Sequence, residues 1–493
     1  MKHKKPKPES VKPDLNRMVP SYGFNLQKFL ERSFWGQKLT IGILLFVLIL
    51  GLGVFLRCFY LSSDPPSTLS WSQDLSTDPP HYTTYARNKV LWGSWDLYGN
   101  VRYVFFLKSA TSLLSFFFYK FLGVGRWQAN LVSVSLGVLT LIFLYMSLAR
   151  LKNKLVGLLG TFFLAVNYIF LMYNRSPFME NAMIFFIVLG FYFWTCQNRK
   201  PLFWFLSGAS LGISIFFGKM IALFLVPIFF GLVLLELWRD RSQKKLKKNL
   251  FPSLSFLGGV LGVSLFWLFF SYLPATRQVA GYMSEITTGL YGKPQGLSSV
   301  SGFLSSLFSF GGVTGVFYNT PVGTDFFFRI PALFVLASFF MLFYFAFNFK
   351  WNDLSDSTKS LPKFEFFFVF WLIFGVLALM PWNYRPLRYQ VSLIPPLCVL
   401  AAFGLVRFLD PQTKKENKIN KWFWIFFVPL ASWMIFNLIS FLLKIEGSTA
   451  NFSRVLALSF VISIVFAFAY YLVVWKRKGI LLGQKRRQGN IQS

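Results

Sequence analysis

The chain reads as an all-α polytopic membrane protein of about twelve transmembrane helices, and three features of its sequence predict this. Apolar runs recur from end to end, at about the 20 residues that a helix needs to cross a bilayer. Charged residues make up only 14% of the chain against 55% hydrophobic and 20% aromatic, whereas soluble domains carry about 25% charged. The Lys and Arg residues gather in alternate short gaps between the runs, which is the orientation signal of membrane proteins.

The spans are expected near 39–61, 127–149, 155–173, 178–196, 202–218, 219–237, 251–273, 328–349, 363–381, 388–409, 422–443 and 454–475. The first run, Leu39 to Leu61, is too long for the apolar stretch of a signal peptide and lacks a small-residue cleavage site, so it is read as a retained span. The stretch 202–237 divides at Gly218-Lys219, because a lysine is tolerated only at a membrane face or in a wet cavity. Tyr103 to Val124 could also span, but it holds Lys108 and Lys120. It is expected to lie at the interface, since counting it as a span would invert everything after it.

With the N-terminus inside, 34 of the 50 Lys and Arg residues fall on the inner side, although the outer loops are longer. Both termini are therefore expected in the cytoplasm. The net charge of +32 has the same origin, so nucleic acid is not an expected partner. The division expected is a basic tail over 1–38, a transmembrane domain over 39–475 and a second basic tail over 476–493. Two external loops are long, 62–126 and 273–327. Only loops of that size can build a site, so chemistry is expected on the outer face.

Cys58, Cys196 and Cys398 lie in or beside different apolar runs, which argues against a disulfide framework or a zinc site. With only His3 and His81 available, a histidine-rich metal centre is excluded by supply. No cofactor is expected, and the sequence does not support a divalent metal.

The first external loop gathers Asp74, Asp78, His81, Tyr82, Tyr85, Arg87, Trp92, Trp95, Asp96 and Lys108 at the lipid boundary. A carboxylate held there is well placed as a general base toward a hydroxyl, and neighbouring cations would favour its anionic form. The bland alternative is a solvated loop with an aromatic interface belt.

This loop resembles the first external loop of polyprenyl-phosphate-dependent glycosyltransferases of the GT-C superfamily. The nearest group is the clan of protein mannosyltransferases and lipid A aminoarabinose transferases. Asp78, Tyr82 and Ala86 match the family's spacing of an acid, a tyrosine and an Ala-containing amphipathic helix. Gly93-Ser94-Trp95 matches its Gly-polar-Trp step. Lys108 through Phe121-Leu122-Gly123 matches a lysine that opens an interfacial helix, and Arg126-Trp-Gln-Ala-Asn the start of the second span. Tyr173-Asn-Arg175 with Glu180, Gly218-Lys219, and Arg385-Pro-Leu-Arg388-Tyr389 followed by Pro395-Pro396 extend the likeness over roughly 35–410. Pro79 stands where relatives often carry Glu, which weighs against a metal held by an acidic pair.

The resemblance implies a GT-C fold with interfacial helices in the first loop. It implies inverting transfer of a sugar from a polyprenyl-phosphate donor to a hydroxyl of a glycan, lipid or protein acceptor in the membrane. Asp78 is the implied base, with Asp74 as the other candidate. Lys108, Lys219, Arg385 and Arg388 supply cations for the donor phosphate, and His81, Tyr82 and Tyr389 would line the substrate. Snorkelling to the interface is the alternative for the cations. Arg175 and Glu180, five residues apart across a turn, are expected to form a structural ion pair.

Gly212 to Lys219 only faintly resembles a P-loop, because Met220 stands where Ser or Thr is needed. Gly258-Gly259-Val-Leu-Gly262 is expected to be a close helix contact. The rival functions are a twelve-span secondary transporter, or another lipid-linked-glycan enzyme such as a ligase or a flippase. The first lacks support from an internal repeat. A ligase would be expected to carry its long functional loop late in the chain.

Overall fold

A computed structural model describes residues 40–63, 74–97, 109–196, 200–242, 246–276, 281, 363–379 and 387–409. Every regular element of three residues or more among them is helical. The expected spans at 328–349, 422–443 and 454–475 lie outside the described residues.

α1 (Ile41–Cys58) is followed by the two helices of the first loop, α2 (Asp74–Trp92) and α3 (Ala110–Leu122). Then come α4 (Arg126–Leu151), α5 (Lys154–Val166), α6 (Tyr168–Asn174), α7 (Met179–Thr195) and α8 (Pro201–Ile213). α9 (Val226–Ser242), α10 (Leu246–Trp267), α11 (Lys363–Leu379), α12 (Leu387–Gln390) and α13 (Ile394–Leu409) complete the set. Four helical stretches are long and apolar enough to cross a membrane: Ile41–Cys58, Arg126–Leu151, Pro201–Gly218 and Leu250–Ala275. The remaining apolar helices are shorter, and the chain is an integral membrane protein of the all-α class.

Local chemistry sets the helix ends. The Ser109 hydroxyl caps α3 by accepting from the Ser112 amide at 3.2 Å, and Asn153 caps α5 by accepting from Val156 at 2.8 Å. Pro201 opens α8 at the first turn, where its missing N–H costs nothing. Gly93 and Gly123 close α2 and α3 at φ +72° and +84°, a backbone region that glycine enters without strain.

The run expected as one span over 155–173 is broken. Asn167 adopts an extended backbone and its side chain accepts from the Phe170 amide at 2.9 Å, so it starts α6 instead of continuing α5. A polar side chain that competes for backbone groups caps a helix more readily than it extends one.

α4 packs against α1, α5 and α7, α7 against α8, and α13 against α5 and α11. The core centres on α7 and α11, where Phe191 stacks on Phe367 at 4.0 Å between ring centroids, with Phe368 and Trp371 fully buried beside them. α8 and α10 cross closely. A Cβ on Gly208 would fall 2.0 Å from the Phe256 carbonyl oxygen, and one on Gly259 would fall 2.2 Å from that of Phe205. The expected glycine contact is thus made by Gly259, while Gly258 and Gly262 face open space.

Arg57, in the last turn of α1, is fully buried. A charged side chain at membrane depth costs at least about 2.5–3.5 kcal/mol, and this one is met by neutral groups. Its Nε donates to Asn174 Oδ1 at 3.1 Å, and Nη1 donates to the carbonyls of Gly53 at 3.0 Å and Ala165 at 3.2 Å.

Candidate functional site

Four helical segments far apart in sequence bring their charged residues to one place. On α2, Asp78 and Tyr82 are one turn apart, and the Tyr82 hydroxyl donates to Asp78 Oδ2 at 3.3 Å. The Tyr82 ring is buried and meets Phe178 edge-on at 6.1 Å. Phe178 immediately precedes α7, so this contact seats α2 against the start of that helix.

Glu180 lies in the first turn of α7, where the positive end of the helix dipole favours a carboxylate. Its side chain is fully buried and pairs with the Lys219 ammonium. Lys219 reaches it because α8 ends in a wide turn over Ser214–Gly218, closed by the Lys219 amide donating to the Ser214 carbonyl at 2.9 Å. A Cβ on Gly218 would fall 2.9 Å from the Met183 Cα, so glycine there permits the close approach to α7. Such wide turns within helices recur at functional sites.

Arg388, on α12, completes the cluster. Its Nη1 pairs with Asp78 Oδ2, and its Nε lies 3.8 Å from Glu180 Oε1. Tyr389 floors the cations, with Lys219 Nζ 4.0 Å and the Arg388 guanidinium carbon 5.3 Å from its ring centroid. Cations attract aromatic faces at such separations. Two carboxylates and two cations therefore share one cluster. Asp78 and Lys219 keep 19% and 17% of their side-chain surface open, while Glu180 keeps none, so Glu180 forms the back of the cluster.

The structure thus brings together six of the sequence-derived residues: Asp78, Tyr82, Glu180, Lys219, Arg388 and Tyr389. His81 is exposed on α2, one residue before Tyr82. Asp74 begins α2, but its side chain, like Lys108 and Arg385, lies outside the described residues.

One expectation is corrected. The Arg175–Glu180 pair gives way to two separate sets of contacts, because Arg175 turns back to the end of α1. There it donates to the carbonyls of Leu56 and Phe59, each at 2.5 Å. Those carbonyls lie at a helix C-terminus, which lacks intrahelical donors and carries partial negative charge. Glu180 is instead taken by Lys219 and Arg388.

α3 packs on α2 and on the start of α4, where Ala86, Tyr119 and Ala129 share a small apolar cluster. Burial pushes the Tyr119 phenol above its usual range, against the opposing pull of the Thr83 hydroxyl and the Arg87 charge.

Fold and site together define an all-α membrane protein with a charged cluster at the ends of its apolar helices. Residues 110–269 match the family model described as dolichyl-phosphate-mannose-protein mannosyltransferase. Glu180 and Lys219 lie inside the matched segment, and Asp78 and Arg388 lie outside it. No curated protein matches by sequence. Among solved structures, ArnT from Cupriavidus metallidurans bound to undecaprenyl phosphate is 14% identical with a TM-score of 0.48, over 86% of this chain and 75% of ArnT. The archaeal oligosaccharyltransferase AglB from Archaeoglobus fulgidus, in complex with an inhibitory peptide and a dolichol-phosphate, is 15% identical with a TM-score of 0.43. That match spans 89% of this chain and 56% of AglB. Both likenesses are distant.

Proposed function

We propose that this chain is a glycosyltransferase of the GT-C superfamily. It moves one sugar, with inversion, from a polyprenyl-phosphate donor to a hydroxyl of a glycan, lipid or protein acceptor. The site faces the outer side of the membrane, both termini are cytoplasmic, and residues 39–475 act as one transmembrane domain. The observation that carries this reading is the joining of Asp78, Glu180, Lys219 and Arg388 in one cluster.

In the reaction, the Asp78 carboxylate accepts the proton of the acceptor hydroxyl as its oxygen bonds to the anomeric carbon. The bond from that carbon to the donor phosphate oxygen breaks, and its electron pair leaves with the phosphate. Lys219 and Arg388, partly withdrawn from water, stabilise the charge that develops there. The donor phosphate also gives the Arg388 guanidinium an anion other than Asp78, which leaves the carboxylate available as a base. Tyr82 holds Asp78 by its hydroxyl, and the Tyr389 ring supports both cations.

The test is genetic. Deleting the gene and profiling surface glycans, lipids and glycoproteins by mass spectrometry should reveal a product lacking one sugar. The wild-type gene should restore it and an Asp78→Asn copy should not. An unchanged profile across all three classes would sink the reading.

A further inference from the structure

Behind the charged cluster lies a second polar assembly that touches neither donor nor acceptor in the reading above. From Arg57, buried at the end of α1, the chain of hydrogen bonds runs through Asn174 and Asn181 to Ser133 on α4. Asn174 Nδ2 donates to Asn181 Oδ1 at 2.7 Å. Asn181 Nδ2 donates to Ser133 Oγ at 3.0 Å and to the carbonyls of Tyr173 at 2.9 Å and Ser176 at 3.1 Å. All four side chains are buried.

The backbone around it is shaped to admit it. A Cβ on Gly137 would fall 2.2 Å from Asn174 Oδ1 and 3.1 Å from Arg57 Nε, so no larger residue leaves room for the Arg57–Asn174 contact. Arg57 also keeps Nη2 without a hydrogen-bond partner among the described residues. Burying a cation among neutral acceptors is a poor way to gain stability, since an apolar residue of similar volume generally does as well. What the arrangement does secure is the turn between α6 and α7. Asn181 ties the 173–176 carbonyls to the first turn of α7, and the residue directly before it is Glu180.

We infer that Arg57, Asn174 and Asn181 are positioning residues for Glu180: they fix the start of α7 so that this carboxylate aims Lys219 and Arg388 at the donor phosphate. This rests on the proposed function. Hydrogen bonds joined in one side-chain network are worth more together than link by link, so losing one link loosens the rest. Without that support, the Lys219 ammonium would be free to swing toward the interface.

Asn174→Asp separates positioning from folding. The carboxylate still accepts from Arg57 and supplies the buried cation with a counter-charge, but it no longer donates to Asn181 Oδ1. The measurement is the Kd of the purified full-length protein for undecaprenyl phosphate, used as probe, alongside Tm. The expected result is a Tm equal to or above wild type and a Kd raised about five- to tenfold, the range for one lost buried hydrogen bond. Gly137→Ala, which displaces the Asn174 oxygen from the other side, should raise Kd in the same way. In a Glu180→Gln background, Asn174→Asp should change Kd by less than about twofold, because groups acting through one partner are not additive. An unchanged Kd for Asn174→Asp, or an equal added effect without the Glu180 charge, overturns the inference and leaves the proposed function standing. Wild-type protein that binds no undecaprenyl phosphate overturns both.

Discussion

Arg388 and Asp78, from a late helix and the loop after α1, form an ion pair, and the same guanidinium lies 3.8 Å from Glu180 through Nε. One arginine thereby joins the proposed base to the acid that anchors Lys219. Arg388→Ala should weaken undecaprenyl-phosphate binding by about tenfold or more, as expected for charge-assisted hydrogen bonds worth about 1.5–3 kcal/mol. Arg388→Lys should restore only part of this, since an ammonium cannot reproduce the planar fork. Wild-type affinity in both variants, measured on protein with an unchanged Tm, would leave Arg388 as a structural cation only.

Lys219 is tested separately, because its partner is the sealed Glu180 and its floor the Tyr389 ring. Lys219→Ala should weaken the same lipid by about tenfold. It should also lower Tm, since removing one partner of a buried pair strands the other. A Tm loss with no change in lipid affinity would assign Lys219 to stability alone.

Much of this cluster is legible in the sequence, for a physical reason. Lysine and arginine at the ends of apolar runs are costly, so Lys219 and Arg388 stand out against their surroundings, and the spacing of Asp78 and Tyr82 marks one face of a helix. Glu180 is visible too, but its partner is not. Arg175 is its neighbour in sequence, whereas the partner that the fold supplies arrives from the end of α8. Tertiary pairing across helices leaves no mark in local spacing. The break at Asn167 is missed because hydropathy averages over a single polar cap. Arg57 carries a readable signal, a lone cation inside the first apolar run, although its neutral partners outside α1 come from two other helices, α5 and α6.

The α8–α10 crossing gives a stability prediction independent of function. Gly259→Val should destabilise by about 1–3 kcal/mol, the usual cost of overpacking, because the atoms in its way are the Phe205 carbonyl oxygen and the Ala209 amide nitrogen. Backbone cannot swing aside as a side chain can. Gly258→Val, with nothing within 4 Å of the added carbon, should leave Tm nearly unchanged. Equal Tm losses in the two variants would mean that the effect comes from helix flexibility and not from the crossing.

Orientation can be checked in intact cells. With Cys58, Cys196 and Cys398 replaced by alanine, single cysteines at positions 80 and 300 should react with an impermeant thiol reagent from outside. One at position 245, within a basic gap, should react only after permeabilisation. Labelling of position 245 in intact cells would place the Asp78 loop in the cytoplasm.

The functional reading depends most on Asp78. A hydroxyl is a poor nucleophile, and a positioned carboxylate contributes typically about 10²–10⁴-fold by accepting its proton. Asp78→Asn keeps the size of the side chain and an oxygen that can accept from Tyr82, so the fold and lipid binding should persist. What it removes is basicity, and transfer should fall by about that factor. Asp74→Asn and Asp96→Asn should be milder, because Asp78 is the acid that pairs with Arg388 and takes the Tyr82 hydroxyl. Normal transfer by Asp78→Asn together with a collapse in Asp74→Asn would move the base by one helical turn and keep the reaction class. If all three variants transfer sugar at the wild-type rate, no carboxylate of this loop acts as the base. The cluster around Arg388 would then be a charge lattice of the fold, and a twelve-span transporter would become the better description.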